Sequence, residues 1–321
     1  MVKKHSPEKI GNAESNPQKS HLYILPSFAK INLILHVTGR HADGYHSLET
    51  LFQTIELHDE LEFRFSKSES FQVILESSES GLANDSSNLI YKACEAFHQA
   101  YPVQLKIEVK IKKRIPIGGG LGGGSSNAAV TLVALSRFLD WPLTKDHLID
   151  LGKNLGADAP FFLFGGSAIG SERGDQITQL PDLESADVLL ICPAFSCSTA
   201  EVYRKFDEQS LLTLRANSIK ILPDQRPESL RGLVSQFEND LEKVVFVLYP
   251  ELDSIKKRLT EQGAIAAALT GSGSAVFGLF DDENSRDKAA EHFPGSIKTR
   301  FITKADYQLA LGLDECQRTD K

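Results

Sequence analysis

Eleven residues, Pro-Ile-Gly-Gly-Gly-Leu-Gly-Gly-Gly-Ser-Ser from Pro116 to Ser126, hold six of the chain's 23 glycines. Glycine lacks a Cβ, so a bound phosphate can approach such a backbone closely. A row of N–H groups here opens onto a helix start, where the dipole also favours negative charge. The chemistry open to Gly118, Gly119, Gly120, Gly122, Gly123 and Gly124 is therefore anion binding, with Pro116, Ile117, Leu121, Ser125 and Ser126 framing the cradle. The plain alternative is a turned connection without a ligand. A strand-to-helix link this rich in glycine, however, loses much conformational entropy on folding and needs a return.

Two familiar phosphate-binding classes do not fit. A Walker A loop requires a lysine directly after its last glycine, and none follows here. Gly118, Gly120 and Gly123 satisfy G-x-G-x-x-G, but so glycine-rich a run meets it almost automatically. A dinucleotide fold puts that loop after its first strand and an acid at the end of the next. In this chain more than 100 residues precede the loop, and Asp140, the acid at about the right distance, ends a helix.

Two further side chains are chemically out of place. Asp158 lies among apolar residues, just before Pro160, Phe161 and Phe162. A carboxylate there is costly unless it is paired or used, and a helix or turn cap is its plain reading. Lys30 is a charge inside an otherwise apolar strand over 28–35, where the plain reading is a snorkelling surface lysine.

The elements that must position these groups follow from periodicity. Residues 22–37 read as two strand pieces interrupted by Pro26 and Ser27, followed by a polar turn over 39–46. Apolar runs at 48–57 and 61–65 predict strands. Leu105, Ile107, Val109 and Ile111 alternate with Lys106, Glu108, Lys110 and Lys112, the pattern of a half-buried strand. Helices are predicted over 89–101, over 127–139 with Ser125 or Ser126 as cap, and over 144–155 with Thr144 as cap. A domain boundary is expected near Gly165-Gly166. Beyond it come strands at 187–191, 264–269, 275–280 and 299–302, and helices at 199–206, 230–248, 250–262 and 284–292. A second small-residue loop, Thr270 to Ser274, joins two of these strands. Mixing without regular βαβ alternation favours α+β over a doubly wound sheet.

Composition narrows the class. At 321 residues the chain exceeds the size at which single cores tend to split. A net charge of −8 argues against a general nucleic-acid partner, although it leaves room for a local basic pocket. The four cysteines form no CxxC pair, which fits reduced thiols and a cytoplasmic location. The first 20 residues have no apolar signal core and read as a disordered tail. No apolar run approaches the ~18–20 residues needed to cross a bilayer, so no membrane partner is expected.

Several segments together resemble the GHMP kinases, the superfamily of galactokinase, homoserine, mevalonate and phosphomevalonate kinases. The glycine loop is similar to its second motif, P-x-x-x-G-L-G-S-S-A. The extra glycines and the Ser-Ser-Asn ending resemble the branch whose acceptor is a cytidine diphosphate-linked methylerythritol. Ser27 to Leu33 resembles that branch's P-A-K-(I/L)-N-L, with Phe28 where proline is common. Arg40 to His46 is similar to R-x-D-G-Y-H, Leu155 to Phe162 to L-G-A-D-V-P-F-F, and Phe237 to Glu242 to F-x-N-D-L-E. Leu269 to Ala275 resembles the third superfamily motif. The likeness spans residues 22–313.

The resemblance implies a two-domain α+β fold: a ribosomal protein S5-like domain over 21–165 and a ferredoxin-like domain over 166–313, between tails at 1–20 and 314–321. It implies ATP-dependent phosphorylation of the acceptor's 2-hydroxyl in non-mevalonate isoprenoid synthesis, with Mg2+ arriving on the ATP and no protein ligand to the metal identified. Lys30 and Asp158 are expected to pair, the lysine keeping the carboxylate ionised and helping to stabilise developing charge. Asn88, Lys113 and Ser126 join the loop around ATP. Tyr45, His46 and Tyr203 are assigned to the cytidine end, with Thr199 one helical turn from Tyr203 and Asn32 reaching the diphosphate or the sugar-alcohol. A mevalonate- or homoserine-type kinase, or an inactive nucleotide-binding relative, are the alternatives. Asp43-Gly44-Tyr45-His46 disfavours the first two, whose substrates carry no base, and retention of Lys30 and Asp158 disfavours the third. The assembly expected is a monomer or homodimer.

Overall fold

Two long antiparallel strands, β1 (His21–Arg40) and β2 (His46–Lys67), form the spine of the first sheet. The computed structural model describes residues 21–77, 79, 81–209, 219 and 230–313; the tails expected at 1–20 and 314–321 lie outside them. The two pieces expected over 22–37 are one strand. Pro26 is tolerated because β1 pairs with β2 alone among the named strands, and a missing N–H is harmless on an edge. The register shifts at Phe28/Ala29, Asn32/Ile34 and Val37/Gly39 mark bulges on both sides of Lys30. The runs at 48–57 and 61–65 likewise fuse into β2.

Strand β3 (Gln72–Ser77) runs parallel to β4 (Leu105–Lys112), and β4 pairs with β2. The alternation read in β4 is real burial: Leu105, Ile107, Val109 and Ile111 are inside. They pack on α1 (Leu89–Ala100) and α2 (Gly123–Phe138), with α3 (Lys145–Leu155) alongside. Helix α2 is buried from Ser126 to Ser136, which its small and aliphatic residues allow. It starts at Gly123, with Gly122 in the left-handed cap position, not at Ser125 or Ser126 as expected. The first sheet also does not stop at Gly165-Gly166. Strands β5 (Ser167–Ser171) and β6 (Gln176–Gln179), unforeseen in the sequence, continue it through β2.

The second sheet has strands β7 (Asp187–Ile191), β8 (Ala266–Leu269), β9 (Val276–Phe280) and β10 (Ile297–Arg300), in the order β10-β7-β9-β8. That is fourth, first, third, second in chain order, all antiparallel, the ferredoxin-like arrangement. Helices α4 (Thr199–Glu208), α5 (Leu230–Leu233), α6 (Glu242–Leu248) and α7 (Pro250–Glu261) lie between β7 and β8, and α8 (Glu283–Ala290) between β9 and β10. The single helix expected over 230–248 is broken at 237–241, where Asn239 and Asp240 turn to other work. A last helix, α9 (Lys304–Leu311), returns to the first half. There Tyr307 is buried and its hydroxyl donates to the Phe162 carbonyl at 2.5 Å. Among the described residues no helix is long and apolar enough to cross a membrane.

Candidate active site

Three positions in the glycine loop demand the left-handed backbone that glycine supplies: Gly118, Gly120 and Gly122, at φ 75°, 75° and 71°. Space is equally tight. A Cβ on Gly120 would stand 2.3 Å from the Thr270 carbonyl oxygen, and one on Gly122 would stand 2.9 Å from the Phe162 ring. The loop's carbonyls are turned to protein partners: Gly119 O accepts from Ala275 N at 3.2 Å, Gly120 O from Thr270 Oγ1 at 3.3 Å, and Leu121 O from Lys30 N at 3.0 Å. The first internal bond of α2 at this mouth is Ser126 N to Gly122 O, at 2.9 Å. The amides of Gly123, Gly124 and Ser125 therefore form the orphan first turn, a cradle for an anion.

Residues Pro116 to Ser125 line a cleft of about 420 Å³, together with Asn88 and Lys113. Ser126, expected here, is fully buried behind the helix mouth, with Ser27 Oγ 2.7 Å from its hydroxyl, and does not line the cleft. Asn88 is engaged as the cap of α1, accepting from Ile90 N at 2.9 Å and donating to Ala83 O at 2.7 Å. Lys113 Nζ lies 2.6 Å from Asp59 Oδ2, and both side chains are buried. Burial holds the Lys113 pKa below the usual lysine value, and the Asp59 charge opposes that shift. Asp59 also accepts from the Arg114 and Ile115 amides at 2.8 Å each, so it fastens the approach to the loop.

The larger cleft, about 1140 Å³, is lined by Lys30, Asn32, Tyr45, His46, Asp158, Thr199 and Tyr203. It shares Gly120, Gly122 and Ser125 with the smaller one, so the glycine loop is their common wall. Beside that wall Lys30 Nζ lies 3.4 Å from Asp158 Oδ2, with the lysine buried and the carboxylate partly open. Lys30 also donates to Asn32 Oδ1 at 2.6 Å and lies over the Phe52 ring at 5.5 Å. Asn32 is a buried hub. Its amide side chain donates to Thr50 Oγ1 at 2.8 Å, and its backbone N–H donates to Thr270 Oγ1 at 3.1 Å. Fixed in this way, the Lys30 ammonium is a donor presented to the Asp158 carboxylate beside the glycine loop.

At the far end of the larger cleft, His46 stacks on Tyr203, with ring centroids 4.7 Å apart and planes at 26°. Burial, and then the Asp158 charge, push the Tyr203 hydroxyl pKa up. Tyr45 is exposed on the turn before β2, and the Arg173 guanidinium lies over its ring at 4.6 Å while pairing with Asp43. Thr199 Oγ1 lies 2.8 Å from Ser272 Oγ, joining α4 to the 270–274 loop.

Several supporting residues escaped the sequence reading. Asn239 donates to Leu269 O at 2.9 Å and to Gly271 O at 2.8 Å, clamping the 270–274 loop. Asp240 accepts from Val37 N at 3.0 Å and so ties β1 to the second half. Their motif was visible in the sequence, but their latching role was not. Asp59, Arg173 and Asp207 carried no local signal beyond a charge in an unremarkable setting; Thr270 opens a loop visible in the sequence, but its bonds to Asn32 were not. Among the described residues no group of three or more His, Cys, Asp or Glu is placed to hold a metal ion.

An anion cradle at a helix mouth, backed by a lysine–aspartate pair and joined to a ferredoxin-like second half, defines a small-molecule kinase of the GHMP class. Residues 88–166 match the GHMP kinases N terminal domain, and residues 218–296 match the GHMP kinases C terminal domain. A Solibacter usitatus protein named 4-diphosphocytidyl-2-C-methyl-D-erythritol kinase is 39% identical over 269 residues, covering 83% of this chain and 84% of the relative. A Pelotomaculum thermopropionicum protein of the same name is 39% identical over 276 residues, covering 86% and 95%. A crystal structure of 4-(cytidine 5'-diphospho)-2C-methyl-D-erythritol kinase superposes with a TM-score of 0.69 at 30% identity, covering 87% of this chain and 99% of that one. The chain belongs to the 4-diphosphocytidyl-2-C-methyl-D-erythritol kinase family. Leishmania major mevalonate kinase, at TM-score 0.65 and 16% identity, shares the fold.

Proposed function

We propose that this chain transfers the γ-phosphoryl group of ATP to the 2-hydroxyl of 4-diphosphocytidyl-2-C-methyl-D-erythritol, releasing ADP, as a step of non-mevalonate isoprenoid synthesis. The observation that carries the reading is the shared wall: a phosphate cradle on one side, and Lys30 with Asp158 on the other. The family names of the relatives support the choice of acceptor.

In this reading the triphosphate rests on the amides of Gly123, Gly124 and Ser125, and Pro116 to Leu121 enclose the nucleotide. Lys113 faces the same cleft and can donate to the nucleotide, its charge shared with Asp59. Bound with ATP, Mg2+ would neutralise phosphate charge there. Asp158 receives a hydrogen bond from the acceptor hydroxyl and orients it. Phosphoryl transfer asks mainly for position and charge stabilisation, so an ordinary carboxylate suffices when the proton leaves late. Lys30, held by Asn32, pairs with Asp158 and fixes its position. Tyr45, His46 and Tyr203 receive the cytosine ring, for which stacking contributes about 1–3 kcal/mol per base. We place the enzyme in the cytoplasm because Cys94, Cys192 and Cys197 are free thiols.

The test is ADP release with ATP, Mg2+ and the cytidylyl substrate, beside mevalonate and homoserine. Activity is expected with the first alone. Turnover of mevalonate or homoserine in its place would overturn the assignment of acceptor.

A further inference from the structure

The end of α4 carries a charged side chain that sequence reasoning passed over. Asp207 follows Tyr203 by one helical turn, so both present themselves to the same neighbour, His46. Asp207 Oδ1 lies 2.7 Å from His46 Nε2, and Asp207 Oδ2 lies 3.3 Å from Arg40 Nη1. The His46 side chain is 7% exposed and that of Asp207 23%, so this contact is largely sheltered from water. All three residues line the larger cleft, and Nδ1 of His46 makes no hydrogen bond to a described residue.

From this arrangement we infer that Asp207 is a positioning residue that sets the base specificity of the site through the tautomer of His46. The inference rests on the reading that the cleft receives a cytidine diphosphate group. A carboxylate accepts only, so in the neutral ring Nε2 carries the proton and Nδ1 is left as an acceptor. An acceptor facing the base edge fits the exocyclic amine of cytosine and repels the O4 carbonyl of uracil. Arg40 has a distinct part: its guanidinium lies 3.3 Å from the other oxygen of Asp207 and so fixes the carboxylate in place against Nε2.

The variant Asp207→Asn turns this logic round. Arg40 is a donor only, so it keeps the amide oxygen, and the amide NH2 faces His46. Nε2 then accepts, and the proton moves to Nδ1. The experiment measures cytidine diphosphate and uridine diphosphate binding by calorimetry to the intact protein, to Asp207→Asn and to Arg40→Ala. The wild-type protein is expected to prefer the cytidine ligand. The preference should fall about 10-fold or more in Asp207→Asn, the scale of one hydrogen bond exchanged for a buried mismatch. It should fall by a smaller factor in Arg40→Ala. Long-range proton–nitrogen NMR on the wild-type ring is expected to show hydrogen on Nε2. Cytidine diphosphate binding with an unchanged preference in Asp207→Asn, or hydrogen on Nδ1 in the wild-type ring, overturns this inference alone. Failure of the wild-type protein to bind cytidine diphosphate overturns the reading of the cleft and the inference with it.

Discussion

The backbone amide of Lys30 donates to the carbonyl of Leu121 at 3.0 Å, binding strand β1 to the glycine loop at the point where the two clefts meet. The side chain of the same residue turns to Asp158. One residue thus joins the glycine loop to the Asp158 carboxylate, the proposed phosphate cradle to the proposed acceptor cleft. Any shift of the loop relative to Lys30 changes the geometry of transfer, and small misplacements of reacting groups are costly in rate.

Asp158→Asn is expected to lower turnover about 10³-fold, the scale of a removed acid–base partner, while nucleotide affinity stays within a factor of two or so. Equilibrium binding of an ATP analogue beside steady-state kinetics checks both halves. Turnover near the wild-type rate would remove Asp158 from the chemistry.

Gly122→Ala places a Cβ 2.9 Å from the Phe162 ring and 3.1 Å from Lys30 Cγ, at a φ of 71°. Strain of this kind costs about 1–3 kcal/mol. Lower thermal stability and weaker nucleotide binding are expected together, because the strained residue caps the helix whose mouth forms the cradle. Unaltered ATP affinity would separate the cradle from the nucleotide.

Asn239→Ala removes the clamp on Leu269 O and Gly271 O, taking one donor from each carbonyl. A loss of about 1–3 kcal/mol in denaturant unfolding is expected. The 270–274 loop holds Asn32 through Thr270, so the KM for the acceptor should also rise. A stable variant with unchanged kinetics would show that the loop keeps its shape without the clamp.

Burial pushes the Cys192 and Cys197 thiols from 9.0 up to about 11. The folded state therefore holds these protons more tightly than the unfolded chain does. The associated stability is complete below pH 9 and drains away as pH rises towards about 11. Unfolding midpoints measured from pH 8 to 11 should fall across that window, and replacing both cysteines by alanine should flatten the decline.

Local requirements were legible in the sequence. The closely approachable backbone of the glycine loop is a property that residue type announces, and so is the alternation of β4; which of the glycines turn left-handed, Gly118, Gly120 and Gly122, shows only in the fold. Thr144 caps its helix where side-chain chemistry suggests. The start of α2 was misread because Ser125 and Ser126 look like caps, whereas the loop geometry leaves that position to Gly122. Strands β5 and β6 escaped notice because their short segments are polar and glycine-rich, and only pairing to β2 makes them strands.

By itself the sequence determined the residue types, the order of the motifs and local character: where the backbone can be approached closely, where a strand buries one face, where a lysine and an aspartate sit uneasily. Tertiary structure alone decided which distant groups meet. Asp158 reaches Lys30, Asp59 reaches Lys113, and Asp207 reaches His46 through pairing of strands and packing of helices far apart in the chain. Burial then gives those meetings their consequence, since a charge removed from water must find its partner in whatever the fold brings beside it.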